Sequence, residues 1–150
     1  MNPDRFNLRR LLSAQGPVIE DALGELRAGQ KASHWMWFVF PQIQGLGFSS
    51  MAKRYALSSR EEARAYHEHP VLGARLRECT RLVLDVEGRR IEQIFGYPDD
   101  LKFRSCMTLF AEVALEEPTY REALQKYFAG EPDPRTRATL SQRSDRHGSD

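Results

Sequence analysis

Six consecutive apolar residues, Trp35-Met36-Trp37-Phe38-Val39-Phe40, carry both tryptophans of the chain. The run is too short for a bilayer, which needs about 20 apolar residues. It follows neither helical nor strand periodicity, so most of it must be buried on every side and other elements must wrap around it. Its edges are polar: Lys31, Ser33 and His34 lead into the run, and Gln42 leaves it just after Pro41. Such groups need partners or a ligand, because an unpaired buried polar group costs about 1–3 kcal/mol.

The rest of the chain supplies the wrapping as short helices punctuated by Gly and Pro, and no useful length alternates apolar and polar residues with period two. Asp4 can cap a first helix ending near Gln15, with Phe6, Leu8, Leu11 and Leu12 on its apolar face. Gly16-Pro17 breaks the chain, and Val18, Ile19, Ala22, Leu23 and Leu26 recur at helical spacing until Gly29. Ser49 or Ser50 can cap a helix holding Met51 and Tyr55, and Ser59-Arg60-Glu61-Glu62 fits a capping box. Pro70 starts a long amphipathic helix built on Leu72, Leu76, Cys79, Leu82, Val83 and Val86. A brief helix follows at Ile91, Ile94 and Phe95, then one capped by Asp99, one opened by Pro118 and a weak final turn ending at Leu140. The predicted fold is all-α, a compact single-domain orthogonal bundle of about seven to eight short helices over residues 1–140. Residues 141–150 contain no apolar side chain and are expected to form a disordered polar tail.

At 150 residues the chain is long enough to bury about two thirds of its unfolded surface around one core. With 22 Lys and Arg against 21 Asp and Glu, no global field invites nucleic acid or an anionic membrane. The N-terminus lacks the apolar stretch of a secretory signal, so a cytoplasmic location is the expectation. Cys79 and Cys106 fall on apolar helical patterns without metal-ligand spacing and read as reduced core thiols. Gly45-Leu46-Gly47 lacks the third glycine of a dinucleotide fingerprint, and no P-loop, HExxH or GxSxG pattern occurs, so neither cofactor nor metal is indicated. His67 and His69 are two apart, which places them on different helix faces. They read as solvated or helix-terminating groups.

Two places carry candidate chemistry. At the entrance to the aromatic run, a helix capped near Ser33 turns its free N–H groups outward beside Lys31 and His34, a combination that binds anions. The structural alternative is that Ser33 only caps, Lys31 is solvated and His34 donates inside the fold. Further on, Phe103, Cys106, Met107, Phe110 and Val113 form the core face of a helix, while Leu101, Ser105, Thr108 and Glu112 follow one flank. A hydroxyl stripe bordering a core face suits a pocket wall, although Ser and Thr can also satisfy themselves on preceding carbonyls.

The blocks Gly29-x-Lys31-x-Ser33-His34-Trp35-Met36-Trp37-Phe38-Val39-Phe40-Pro41-Gln42, Gly45-Leu46-Gly47-x-Ser49, His69-Pro70-x-Leu72-Gly73-x-Arg75-Leu76 and Phe95-Gly96-x-x-Asp99-x-x-Lys102-x-x-Ser105-x-Met107-Thr108-Leu109-Phe110 closely resemble the domain-of-unknown-function family eighteen-ten. The resemblance covers about residues 5–140 and implies a compact all-helical fold but no established reaction. Members sometimes carry a calpastatin-like label, yet a folded domain rich in core aromatics looks nothing like a disordered protease inhibitor. Cys106 stands where the family usually has a second Ser, and His67 where a Leu is common.

The expectation is therefore that both polar edges converge on one cavity, with Lys31, His34, Asp99, Lys102 and Ser105 beside Trp35 or Trp37. Ser33, Gln42 and Thr108 complete the ligand set. His34 and Asp99 are the acid–base candidates. Stacking rings and cations together fit a small anionic, nucleotide-derived ligand, with glycosidic or phosphoester hydrolysis as the enzymatic version. A fold-level analogy to small helical proteins of NAD and ADP-ribose metabolism points the same way. The competing reading is a non-catalytic protein-interaction or regulatory module in which these polar groups are caps and core partners.

Overall fold

The structure is a computed structural model that describes the backbone of residues 4–148 and the side chains of residues 4–142. Among the described residues it forms helices joined by short connections, with one isolated parallel bridge between Ile43 and Leu57. The helices are α1 (Arg9–Gln15), α2 (Ile19–Arg27), α3 (Met36–Val39), α4 (Ser50–Tyr55), α5 (Arg60–Glu68), α6 (Leu72–Asp85), α7 (Ile91–Phe95), α8 (Asp99–Val113), α9 (Thr119–Phe128) and α10 (Pro134–Gly148). The all-α expectation holds, but the ten helices exceed the seven to eight expected. The surplus comes from one-turn helices such as α3, whose apolar run gives no periodicity to read. α10 continues to Gly148, past the boundary that composition set at residue 140, and the last two residues of the expected tail lie outside the described residues. No described helix is long and apolar enough to cross a membrane.

Local chemistry explains where α4, α5 and α6 begin. Ser49 accepts from the Ala52 N–H at 3.1 Å and Ser59 from the Glu62 N–H at 3.0 Å, as caps should. The box at Ser59 is only half closed, because Glu62 turns its carboxylate to the Ser58 N–H at 2.7 Å and forms an ion pair with Arg10 at 3.0 Å. His69 opens α6: its Nδ1 accepts from the N–H groups of Val71 and Leu72 at 3.1 and 3.2 Å. At the same junction a Cβ on Gly73 would lie 2.0 Å from the His67 carbonyl oxygen, so α6 leaves α5 through a gap only glycine fits.

α8 is the centre of the bundle, packed by α5, α7, α9 and α10. Phe103, Cys106, Met107, Leu109 and Phe110 are fully buried, so this helix is covered nearly all round rather than on one face. The aromatic run meets it through Phe40. Phe40 packs edge-on against Phe103 at 5.2 Å and Phe95 at 5.7 Å, and Phe95 stacks on Phe103 at 4.8 Å. Cys79 and Cys106 are buried free thiols, and burial pushes Cys79 up to about 12.

Candidate functional site

At the entrance of the aromatic run the free N–H groups are taken by a carboxylate of the protein itself. Glu25, on α2, accepts at Oε1 from the N–H of Ala32 at 2.7 Å, the N–H of Ser33 at 3.0 Å and the indole N–H of Trp35 at 2.9 Å. Its Oε2 accepts from the Ser33 hydroxyl. Burial alone would raise this carboxyl, but these bonds together hold it below its ordinary value. The polar groups of the ligand candidates Ser33 and Trp35 thus have partners inside the fold. Ser33 is spent on Glu25, and Trp35 is fully buried with its one donor engaged. Nor does Ser33 cap a helix, since α3 starts only at Met36. His34 is exposed and makes no hydrogen bond or ion pair among the described residues.

The two polar edges meet at Asp99. Lys31 Nζ lies 2.9 Å from its Oδ2, and Lys102 Nζ lies 3.5 Å from its Oδ1. The side chains of Lys31 and Asp99 are only 9% and 20% exposed, so this pair is well shielded from solvent. The ammonium groups also sit over indole rings, Lys31 over Trp35 at 5.2 Å and Lys102 over Trp37 at 5.8 Å. Asp99 is the first residue of α8 rather than its cap, and an ammonium faces each of its oxygens. That geometry gives it the role of counter-ion to both ammonium groups. Trp37 is half-buried, with Lys102 over its ring.

A cavity of about 420 Å³ opens next to this bridge. The segment after α3 contributes Gln42, Leu46 and Gly47; the start of α8 contributes Leu101, Lys102, Arg104 and Ser105; the approach to α10 contributes Asp133 and Arg135. Of the candidates, Gln42, Lys102 and Ser105 line this cavity, whereas Lys31, Ser33, His34, Trp35, Trp37 and Asp99 do not. Thr108 sits behind it, 1% exposed, accepting from the Asp133 N–H at 2.8 Å and donating to the Arg104 carbonyl. The hydroxyl stripe of α8 is in large part a seat for the C-terminal segment. The single hydroxyl hydrogen of Ser105 is shared between the Leu101 carbonyl at 3.1 Å and Asp133 Oδ2 at 3.3 Å, and Glu112 pairs with Arg137 at 3.4 Å.

Sequence reasoning missed Arg104, Asp133 and Arg135. The signal was present for Asp133: Asp133-Pro134-x-Thr136 is a helix start, and Asp133 Oδ2 accepts from the Thr136 N–H at 2.9 Å and hydroxyl at 2.6 Å. It also missed His67, which is buried rather than solvated. Its Nδ1 lies 3.2 Å from the Tyr120 hydroxyl and its Nε2 3.6 Å from Glu116. Burial, then the Arg77 charge, lowers its pKa. Arg64 clamps Glu116 at 2.7 and 2.8 Å and pulls that carboxyl down to about 2. Among the described residues no group of three or more His, Cys, Asp or Glu is placed to hold a metal ion.

The family model for the protein of unknown function DUF1810 matches residues 5–140. The chain belongs to this family. The DUF1810 fold is also that of the crystal structure of the conserved hypothetical protein Rv1873 from Mycobacterium tuberculosis, matched at a TM-score of 0.90 and 54% identity over 91% of this chain and 97% of that one. A comparison with curated proteins finds no match. The family thus accounts for the helical fold and assigns no reaction to the cavity beside Asp99.

Proposed function

We propose that this DUF1810 chain binds a small anionic ligand in the cavity between the segment after α3, the start of α8 and the start of α10. The observation that carries this reading is charge. Lys102, Arg104 and Arg135 line one concavity against a single lining carboxylate, Asp133, one of whose oxygens is already engaged by Ser105 and Thr136. Asp99 is shared between Lys31 and Lys102, and Arg135 has no carboxylate partner among the described residues, so the concavity keeps a local excess of positive charge. Arg104 donates to the Glu131 carbonyl at 3.0 Å and pairs loosely with its carboxylate at 3.8 Å, and Arg135 reaches the Leu46 carbonyl at 3.4 Å. The reading is binding rather than glycosidic or phosphoester hydrolysis, because both Asp99 oxygens face ammonium groups and His34 is not among the cavity-lining residues.

A thermal-shift screen against inorganic phosphate, nucleotides, ADP-ribose derivatives and sugar phosphates tests it. A ligand at 100 times its dissociation constant adds about 2.7 kcal/mol, or about 5–10 °C for a domain of this size. Lys102→Ala should weaken the shift about tenfold in ligand concentration while costing under about 1 kcal/mol of stability, since its ion pair with Asp99 is partly exposed. No shift with any of these anions at millimolar concentration would move the reading to the non-catalytic interaction module.

A further inference from the structure

The cavity does not hold cations alone. Asp133 lines it too, and while its Oδ2 takes three hydrogen bonds from Ser105 and Thr136, its Oδ1 takes none from the described residues. Gln42, also lining the cavity, has a side-chain amide with no hydrogen-bond partner among the described residues. A bare inorganic anion would set its charge against the Asp133 carboxylate. A ligand that pairs an anion with neighbouring hydroxyl donors would satisfy both signs at once. Next in sequence to the lining residue Pro98 is Tyr97, a large ring 81% exposed to water. Such a ring is a stacking platform for a planar heterocycle. The 420 Å³ volume lies near the lower end of the roughly 300–1,000 Å³ range of small-ligand sites, which suits one nucleotide unit rather than a dinucleotide.

Building on the anion-binding reading above, we infer that the ligand is a ribonucleoside monophosphate. Its phosphate lies among Lys102, Arg104 and Arg135, its ribose hydroxyls donate to Asp133 Oδ1 and meet the Gln42 amide, and its base stacks on Tyr97. Asp133 is then the residue that selects ribose. A hydroxyl donating to a carboxylate is a charge-assisted bond, and losing it reduces affinity about tenfold or more.

The test is calorimetric titration of the full chain with AMP, its 2′-deoxy and 3′-deoxy forms, ribose 5-phosphate and inorganic phosphate. AMP should bind most tightly, at least one deoxy form about tenfold more weakly, and inorganic phosphate weakest. In Asp133→Asn, which keeps an oxygen to cap α10, the preference for AMP over that deoxy form should collapse towards one. In Tyr97→Ala, AMP should fall to the affinity of ribose 5-phosphate, while ribose 5-phosphate itself is unchanged. Equal binding of AMP and both deoxy forms by the unmodified chain overturns ribose selection even if Asp133→Asn proves unstable, and leaves anion binding standing. Binding of inorganic phosphate as tight as AMP overturns the nucleotide assignment in the same way. Failure of every phosphate compound to bind overturns the anion-binding reading with it.

Discussion

Single residues in this molecule differ sharply in what they tolerate, and two glycines show why. At Gly73 a Cβ would meet the His67 backbone oxygen at 2.0 Å, and neither backbone can yield without moving α5 against α6. At Gly24, in the exposed middle of α2, a Cβ meets nothing within 4 Å. Gly73→Ala is therefore expected to cost about 3 kcal/mol or more, at the upper end of overpacking losses. Gly24→Ala should gain about 0.5–1 kcal/mol through helix propensity and a less flexible unfolded chain. Urea denaturation of both variants checks the pair, and similar effects of like sign would contradict it. Glu25 belongs to the same scale: one carboxylate gathers two backbone N–H groups, a hydroxyl and an indole, and so fixes the entrance of the aromatic run.

Among elements, the seam between α8 and the approach to α10 decides whether the cavity has its third wall. Thr108 is its central peg, taking the Asp133 N–H while giving its own hydrogen to Arg104. Thr108→Val keeps the shape but leaves the Asp133 N–H without its acceptor, which should cost about 1–3 kcal/mol. The same change should weaken binding of an anionic ligand, because Asp133 and Arg135 both sit on the loosened segment. Chemical denaturation and ligand titration of this variant read the two effects separately. A stability loss with unchanged affinity would detach the cavity from the seam.

For the whole molecule, the group that links stability to mild acid is His67. Its pKa is lowered in the folded chain, first by burial and then by Arg77 and Arg64, against the opposing pull of Glu116 and Glu117. The unfolded chain titrates near the ordinary imidazole value of 6.5, so between that pH and the lower folded value it binds more protons than the native state. Stability should therefore be flat above about pH 6.5 with respect to this group and fall as pH drops through that window. His67→Gln should flatten that decline, which denaturant midpoints from pH 8 to pH 5 would reveal. Parallel profiles in the two proteins would assign the decline elsewhere. Glu25 acts lower on the scale: its lowered carboxyl contributes stability that is present above its ordinary 4.5 and lost as pH falls below it.

The sequence alone determined the all-α class, the burial of Trp35, Phe38 and Phe40, and the starts of α4 and α5 at Ser49 and Ser59, because periodicity and capping are local properties of the chain. It also marked Lys31, Asp99 and Lys102 as polar groups that must be answered, and they answer one another. Only the tertiary structure decided which partner each polar group takes. Ser33 and the indole of Trp35 go to Glu25 on another helix, and Thr108 goes to Asp133. His67, which looks like a helix end in sequence, is buried against Tyr120 on α9. The cavity is built from three segments far apart in sequence, and no local pattern in any one of them records that they close on the same space.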